Sequence, residues 1–173
     1  METLILISAL FLGAAVQSQS NVACPEHNHH GKNDEHAAGV DSRGDQAMGF
    51  SHETTDHHFL LLPDGGIIEV NIKAEHDDAT RDEIRSHLKH VATMFRDNDF
   101  DLPMFIHDRV PPGVDVMKER HSTITYTFEP TEKGGKVTIV THDPSALIAV
   151  HQFLEFQIQD HRTSDSPLPQ SAR

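Results

Sequence analysis

One pattern occurs twice in this chain: an apolar run, a turn containing a glycine pair, a second apolar run and then an amphipathic helix. The first copy opens with Phe59-Leu60-Leu61-Leu62, turns through Pro63-Asp64-Gly65-Gly66 and continues from Ile67 to Ile72, which reads as a β-hairpin. The helix after it carries Thr80 and Glu83 at capping-box spacing, and Ile84, Leu88, Val91 and Phe95 recur on one helical face. In the second copy Ile124, Tyr126 and Phe128 alternate with Thr125, Thr127 and Glu129. Gly134-Gly135 supplies the turn, and Val137 and Ile139 flank Thr138. Asp143-Pro144 then starts a helix running to about His161, since Asp is a favoured N-cap and Pro at N1 forfeits no hydrogen bond. Two β-β-α units predict an α+β two-layer sandwich, a four-stranded antiparallel sheet with two helices on one face. Between them, Asp97 to Ser122 contains Pro103, Pro111, Pro112 and Gly113. It reads mostly as loop with a short helix around Val114 to Arg120, and a loop of that length is usually functional or conceals an element.

A chain of 173 residues has room for one domain of ordinary size, expected here over 56–162. Residues 1–20 have the layout of a secretory signal, with an apolar run from Leu4 to Val16 and candidate cleavage sites after Ser18 and Ser20. That run is shorter than the roughly 20 residues a spanning helix needs. The segment before it, Met1-Glu2-Thr3, lacks the usual Lys or Arg, and Asn21 does not match the aliphatic residue that precedes a lipoprotein cysteine at the spacing of Cys24. The reading is an exported chain, periplasmic or extracellular, with no membrane insertion after processing. A single cysteine excludes an intramolecular disulfide. Residues 21–55 read as a disordered His-rich linker, and 163–173, with Pro167, Pro169 and no apolar pattern, as a disordered tail.

Asp and Glu number 27 against 14 Lys and Arg, a net charge of −13, which repels nucleic acid and anionic membrane surfaces. Fifteen histidines would bring that charge to +2 if all were protonated, so histidine is the residue type to place. His151 lies within the stripe of Leu147, Leu154 and Ile158 and should face the sheet, with His161 near the same line. A buried imidazole without a partner costs about 1–3 kcal/mol. His151 is therefore either a core residue bonded to a backbone carbonyl or Tyr126, or a metal ligand. His87 falls at the edge of the first helix's apolar face. On the first strand His57 points toward the helices, while His58 points outward with Leu60 and Leu62, a face apolar enough to suggest a homodimer.

Neutral imidazoles converging on one position suit Zn, Cu or Ni. His57, His87 and His151 form the expected set, with His107 from the long loop as a fourth ligand and His58 and His161 as further candidates. Separately, Cys24, His27, His29, His30 and His36 make a tract able to chelate metal without a fold. The chain has no His-Glu-x-x-His, Cys-x-x-Cys, Gly-x-Ser-x-Gly or glycine-rich phosphate loop. Asp56-His57 and His107-Asp108 are adjacent pairs, and on a strand adjacent residues face opposite ways.

The segments Arg43-Gly44-Asp45, Met48-Gly49-Phe50, Thr55-Asp56-His57-His58-Phe59, Asp64-Gly65-Gly66 and Pro111-Pro112-Gly113 resemble, as a set, a family of uncharacterised exported bacterial proteins. The closing stretch Val150-His151-Gln152-Phe153-Leu154-Glu155-Phe156-Gln157-Ile158 with His161-Arg162-Thr163 belongs to the same set. The resemblance covers about Asp41 to Asp165. It implies that His58, His87, His107, His151 and His161 are typical positions and that the tract from Cys24 to His36 is not. Asp56 stands where Thr is common, and Ser164 where Gly is. No activity comes with the resemblance.

The leading expectation is an exported metal-binding protein that buffers or carries Cu, Zn or Ni. One alternative is a metal-dependent enzyme using the same histidines, with Asp108 or Glu155 as general base and an open coordination position for water. The other is a non-catalytic module that dimerises through the Leu60 and Leu62 face.

Overall fold

The computed structural model describes residues 29–171. In chain order the elements are α1 (His29–Met48), a 3-10 turn (His52–Thr54), β1 (Thr55–Leu62), β2 (Gly65–Ile72), α2 (Asp78–Arg96), α3 (Asp101–His107), α4 (Val114–Glu119), a second 3-10 turn (His121–Thr123), β3 (Ile124–Pro130), β4 (Gly134–Thr141) and α5 (Pro144–Asp160). The strands form one antiparallel sheet in the order β1-β2-β4-β3, the expected α+β sandwich. Alternation sorts its two faces. Phe59, Leu61, Val70, Val137 and Ile139 are buried beneath the helices, whereas His58, Leu60, Leu62 and Ile67 lie on the opposite face. Each unit's helix lies mainly over the other unit's hairpin, α2 on β3 and β4, and α5 on β1 and β2. Among the described residues no helix is long and apolar enough to cross a membrane.

The glycine pairs do more than turn the chain. The first turn is the two-residue Pro63-Asp64, and Leu62 pairs with Gly65 rather than with Ile67. That shift of two leaves every side chain on the face its alternation assigns. Gly65 and Gly134 already belong to the central strands β2 and β4. A Cβ on Gly65 would collide with the carbonyl of Ile139, and one on Gly134 with the carbonyl of Val70. Each unit thus supplies the glycine that lets the other unit's central strand approach. The α2 cap is the Asp77 carboxylate, which accepts from Thr80 N–H at 3.2 Å, so the Thr80/Glu83 box is not the cap.

Three expectations are corrected. The segment 21–55 is not wholly a linker, because α1 runs through it with Val40 and Phe50 buried. The long connection contains α3 as well as the anticipated α4. These two unforeseen helices pack on each other, and Arg43 Nε donates to the Ile106 carbonyl at 2.8 Å. A polar helix gains its stability from such tertiary contacts rather than from its own periodicity. Third, the tail after α5 docks on the exposed edge of β1. Asp165 accepts from Phe59 N–H at 3.0 Å and meets His58 Nδ1 at 3.1 Å, and Gln170 N–H donates to Leu61 O at 2.8 Å. This covers an edge that would otherwise pair with other chains. The signal segment, Cys24 and His27 lie outside the described residues.

Replacing Gly134 with Ala should cost on the order of 2 kcal/mol through the clash with Val70. Urea unfolding of the two proteins measures it.

Candidate functional site

Helix rise and strand rise set where the α5 histidines land. Ten residues from His151 to His161 span about 15 Å of helix, close to the roughly 17 Å of strand that five residues from Leu62 back to His57 span. A helix running back over β1 therefore places His151 at the hairpin turn and His161 at His57. His151 Nε2–H reaches the carbonyls of Leu62 at 2.8 Å and Gly65 at 3.1 Å. The ring of His161 stacks on His57 at 5.9 Å with planes 9° apart, and on Phe59 at 5.4 Å. His151 is thus a structural histidine that ties α5 to the first turn. The expected convergence of His151 with His57 and His87 does not occur. Its partners are backbone carbonyls, while among the described residues the buried Tyr126 hydroxyl has no hydrogen-bond partner.

The convergence that does occur is centred on a cavity of about 70 Å³ beneath α2, α3 and α5, onto which His57, His87, His107 and His161 all open. The end of α1 reaches the same space. His57 Nε2–H donates to the thioether sulfur of Met48 at 3.3 Å. Phe50 meets His87 edge-on at 5.8 Å and lies parallel to His57 at 6.5 Å. His107 and His161 form an edge-to-face pair at 5.0 Å. Met48 and Phe50 escaped the sequence reading of this site.

Not every candidate ring is free. His58 turns to the outer face and is held by Asp165. His107 is buried with both nitrogens engaged, Nδ1 by Asp160 at 2.6 Å and Nε2 by the Gln157 amide at 2.9 Å. His36 Nε2 approaches the second oxygen of Asp160 at 3.0 Å, so it belongs to this bracket and not to a tail site. His29 and His30 open α1. Among the described residues the rings of His87 and His161 have no hydrogen-bond partner, and no three His, Cys, Asp or Glu side chains are grouped to hold an ion by themselves.

Burial keeps these rings uncharged. His57 is pushed down to about 4 by burial and then by the neighbouring His87, His52, His58 and Lys73, His87 to about 4 by burial and His90, and His161 to about 3 by burial and then His107 and His57. His107 is also lowered, burial outweighing the Asp160 bond that favours its charged form. For Asp160 burial acts in the opposite sense, but the bonds from His107 and His36 outweigh it and hold the carboxyl below its usual range. The cavity thus presents neutral imidazoles and a thioether inside aromatic and aliphatic walls. That set can donate electron pairs to a soft cation, and bases so weak are poorly matched to proton abstraction near pH 7. Neither Asp108 nor Glu155 lines the cavity. Comparison of the chain with protein families, with curated proteins and with solved structures finds no match.

Two outcomes follow. The folded pKa values of His57, His87 and His161 lie below the ordinary 6.5, so between about pH 6.5 and 4 the unfolded chain binds protons that the folded chain refuses. The stability they contribute is therefore full above pH 6.5 and declines as pH falls toward 4. Urea titrations from pH 7 to 4.5 should show this decline, and His161→Phe should reduce proton uptake on unfolding at pH 5 by about one. His151→Ala should cost about 1–3 kcal/mol by removing the hydrogen bonds that tie α5 to the first turn, read by urea unfolding.

Proposed function

We propose that this is an exported protein that binds a soft transition-metal ion, monovalent copper before zinc or nickel, for buffering or carriage. Its ligands are Met48 and His57, with His87 and His161 completing the site. The observation that carries the reading is the 3.3 Å contact between His57 Nε2 and Met48 Sδ, at a cavity onto which two further unpaired, neutral imidazoles open. Bond lengths of about 2.0 Å to nitrogen and about 2.3 Å to sulfur at a tetrahedral angle would set those two atoms about 3.5 Å apart. The flexible Met side chain need move only a few tenths of an ångström to admit an ion in place of the shared proton. Thioether and imidazole together favour Cu(I) over harder ions, and a single positive charge is the least costly to bury among apolar walls. The segment from Leu4 to Val16 supports export, and Cys24, His27, His29 and His30 supply a capture tract ahead of the domain.

The test uses the chain from Asn21 onward with Cys24, His27, His29 and His30 replaced by Ser or Ala, so that only the cavity can respond. Cu(I), or Ag(I) as a redox-inert equivalent, should raise its melting temperature, corresponding to about 2.7 kcal/mol at a hundredfold excess over the dissociation constant. Met48→Leu and His57→Asn should each remove that gain, and His151→Ala should leave it intact. Identical melting curves with Cu(I), Zn and Ni would overturn the proposal.

A further inference from the structure

Two of the side chains at the cavity, Met48 and His87, also line a second space. It is a surface groove of about 290 Å³ between the end of α1 and α2, completed by Ala47, Glu83, Ser86 and His90. Glu83, His87 and His90 are spaced i, i+4 and i+7, so they follow one another along one face of α2. Among the described residues no hydrogen bond or ion pair ties them down, because Arg81 and Arg85 pair with Asp78 and Asp82 instead. His57 and His161 border another opening, of about 280 Å³. Its donors are already committed, His52 to Asp45, His58 to Asp165 and Asp41 to Arg162. Lys73 and Arg162 line that opening and repel a cation, whereas the groove has Glu83 and neither Lys nor Arg.

The groove is not built for storage. Among the described residues no three His, Cys, Asp or Glu side chains are grouped to hold an ion. Along the helix axis Glu83 and His87 are about 6 Å apart, and His87 and His90 about 4.5 Å. Successive weak contacts suit transit, where an ion must bind well enough to enter and loosely enough to move on. We infer that this groove is the port through which a soft monovalent cation enters and leaves the cavity. Glu83 attracts the ion, His90 with His87 takes it first, and Met48, which faces both spaces, passes it to His57. The ion keeps its oxidation state, and each bond to it forms as another breaks. This rests on the metal reading and assigns the route by which that site fills.

The test uses the chain with its Cys24 to His30 donors replaced, as above, loaded with Cu(I) and mixed with excess bicinchoninate, whose copper complex is coloured. Release is timed at chelator concentrations where its rate no longer rises. Exit retraces entry, so His90→Ala should slow release by about fivefold or more. Ser86→Trp, which obstructs the groove and removes no donor, should slow it too. Both positions are exposed, so neither change threatens the fold. Lys73→Trp, which obstructs the other opening, should not slow it. Unchanged or faster release in both groove variants would overturn the port, as would slowing by Lys73→Trp alone. The metal reading is separated by the melting curve of the unsubstituted groove. No gain with Cu(I) refutes that reading and the port with it, whereas a full gain with release insensitive to the groove variants refutes the port alone.

Discussion

The carboxylate of Asp160 joins three parts of the molecule that backbone pairing leaves separate. Its two oxygens take His107 from α3 and His36 from α1 at the last residue of α5. Apolar packing alone would let two short or polar helices slide over the sheet, but a half-buried carboxylate with two specified partners allows one arrangement. With α3 set, the Ile106 carbonyl is in place to receive Arg43. With α1 set, Met48 and Phe50 come to rest against His57 and His87. The cavity is therefore a consequence of this bracket as much as of the β-β-α repeat.

The same arrangement explains why the histidines are chemically unusual. His107 spends both nitrogens on structure, whereas His57, His87 and His161 are surrounded mainly by aromatic rings, by one another and by a thioether. Desolvation then decides their protonation, and an imidazole that refuses a proton at neutral pH keeps its lone pair for another Lewis acid. A site intended for proton transfer would keep such a group near the working pH with a carboxylate partner. Here the available carboxylate is committed to holding helices.

The repeat was legible because its periodicities are local. Alternation by two placed His57 under the helices and His58 outside, and the helical stripe placed His87 at the core edge and His161 inward. What periodicity lacks is position along the axis. It showed that His151 faces the sheet but not that it faces the hairpin turn, one strand length from His57, so His151 was grouped with the wrong neighbours. Nor could it show α1, whose buried face is little more than Val40 and an arginine reaching across to α3. The tail has no pattern because its interactions are two backbone groups of β1 and one imidazole, all distant in sequence.

The sequence by itself determined the sheet, its two covering helices and the faces on which the histidines lie. Those follow from residue spacing of 2 and 3.6, which is set by the backbone within a single element. Only the tertiary structure decided which of those histidines meet, that Met48, Phe50 and Gln157 join them, and that His151, His107 and His58 are held elsewhere or held twice. Such choices depend on relative register and on partners more than a hundred residues away, as with His36 and Asp160, and no local period records a contact between segments so far apart.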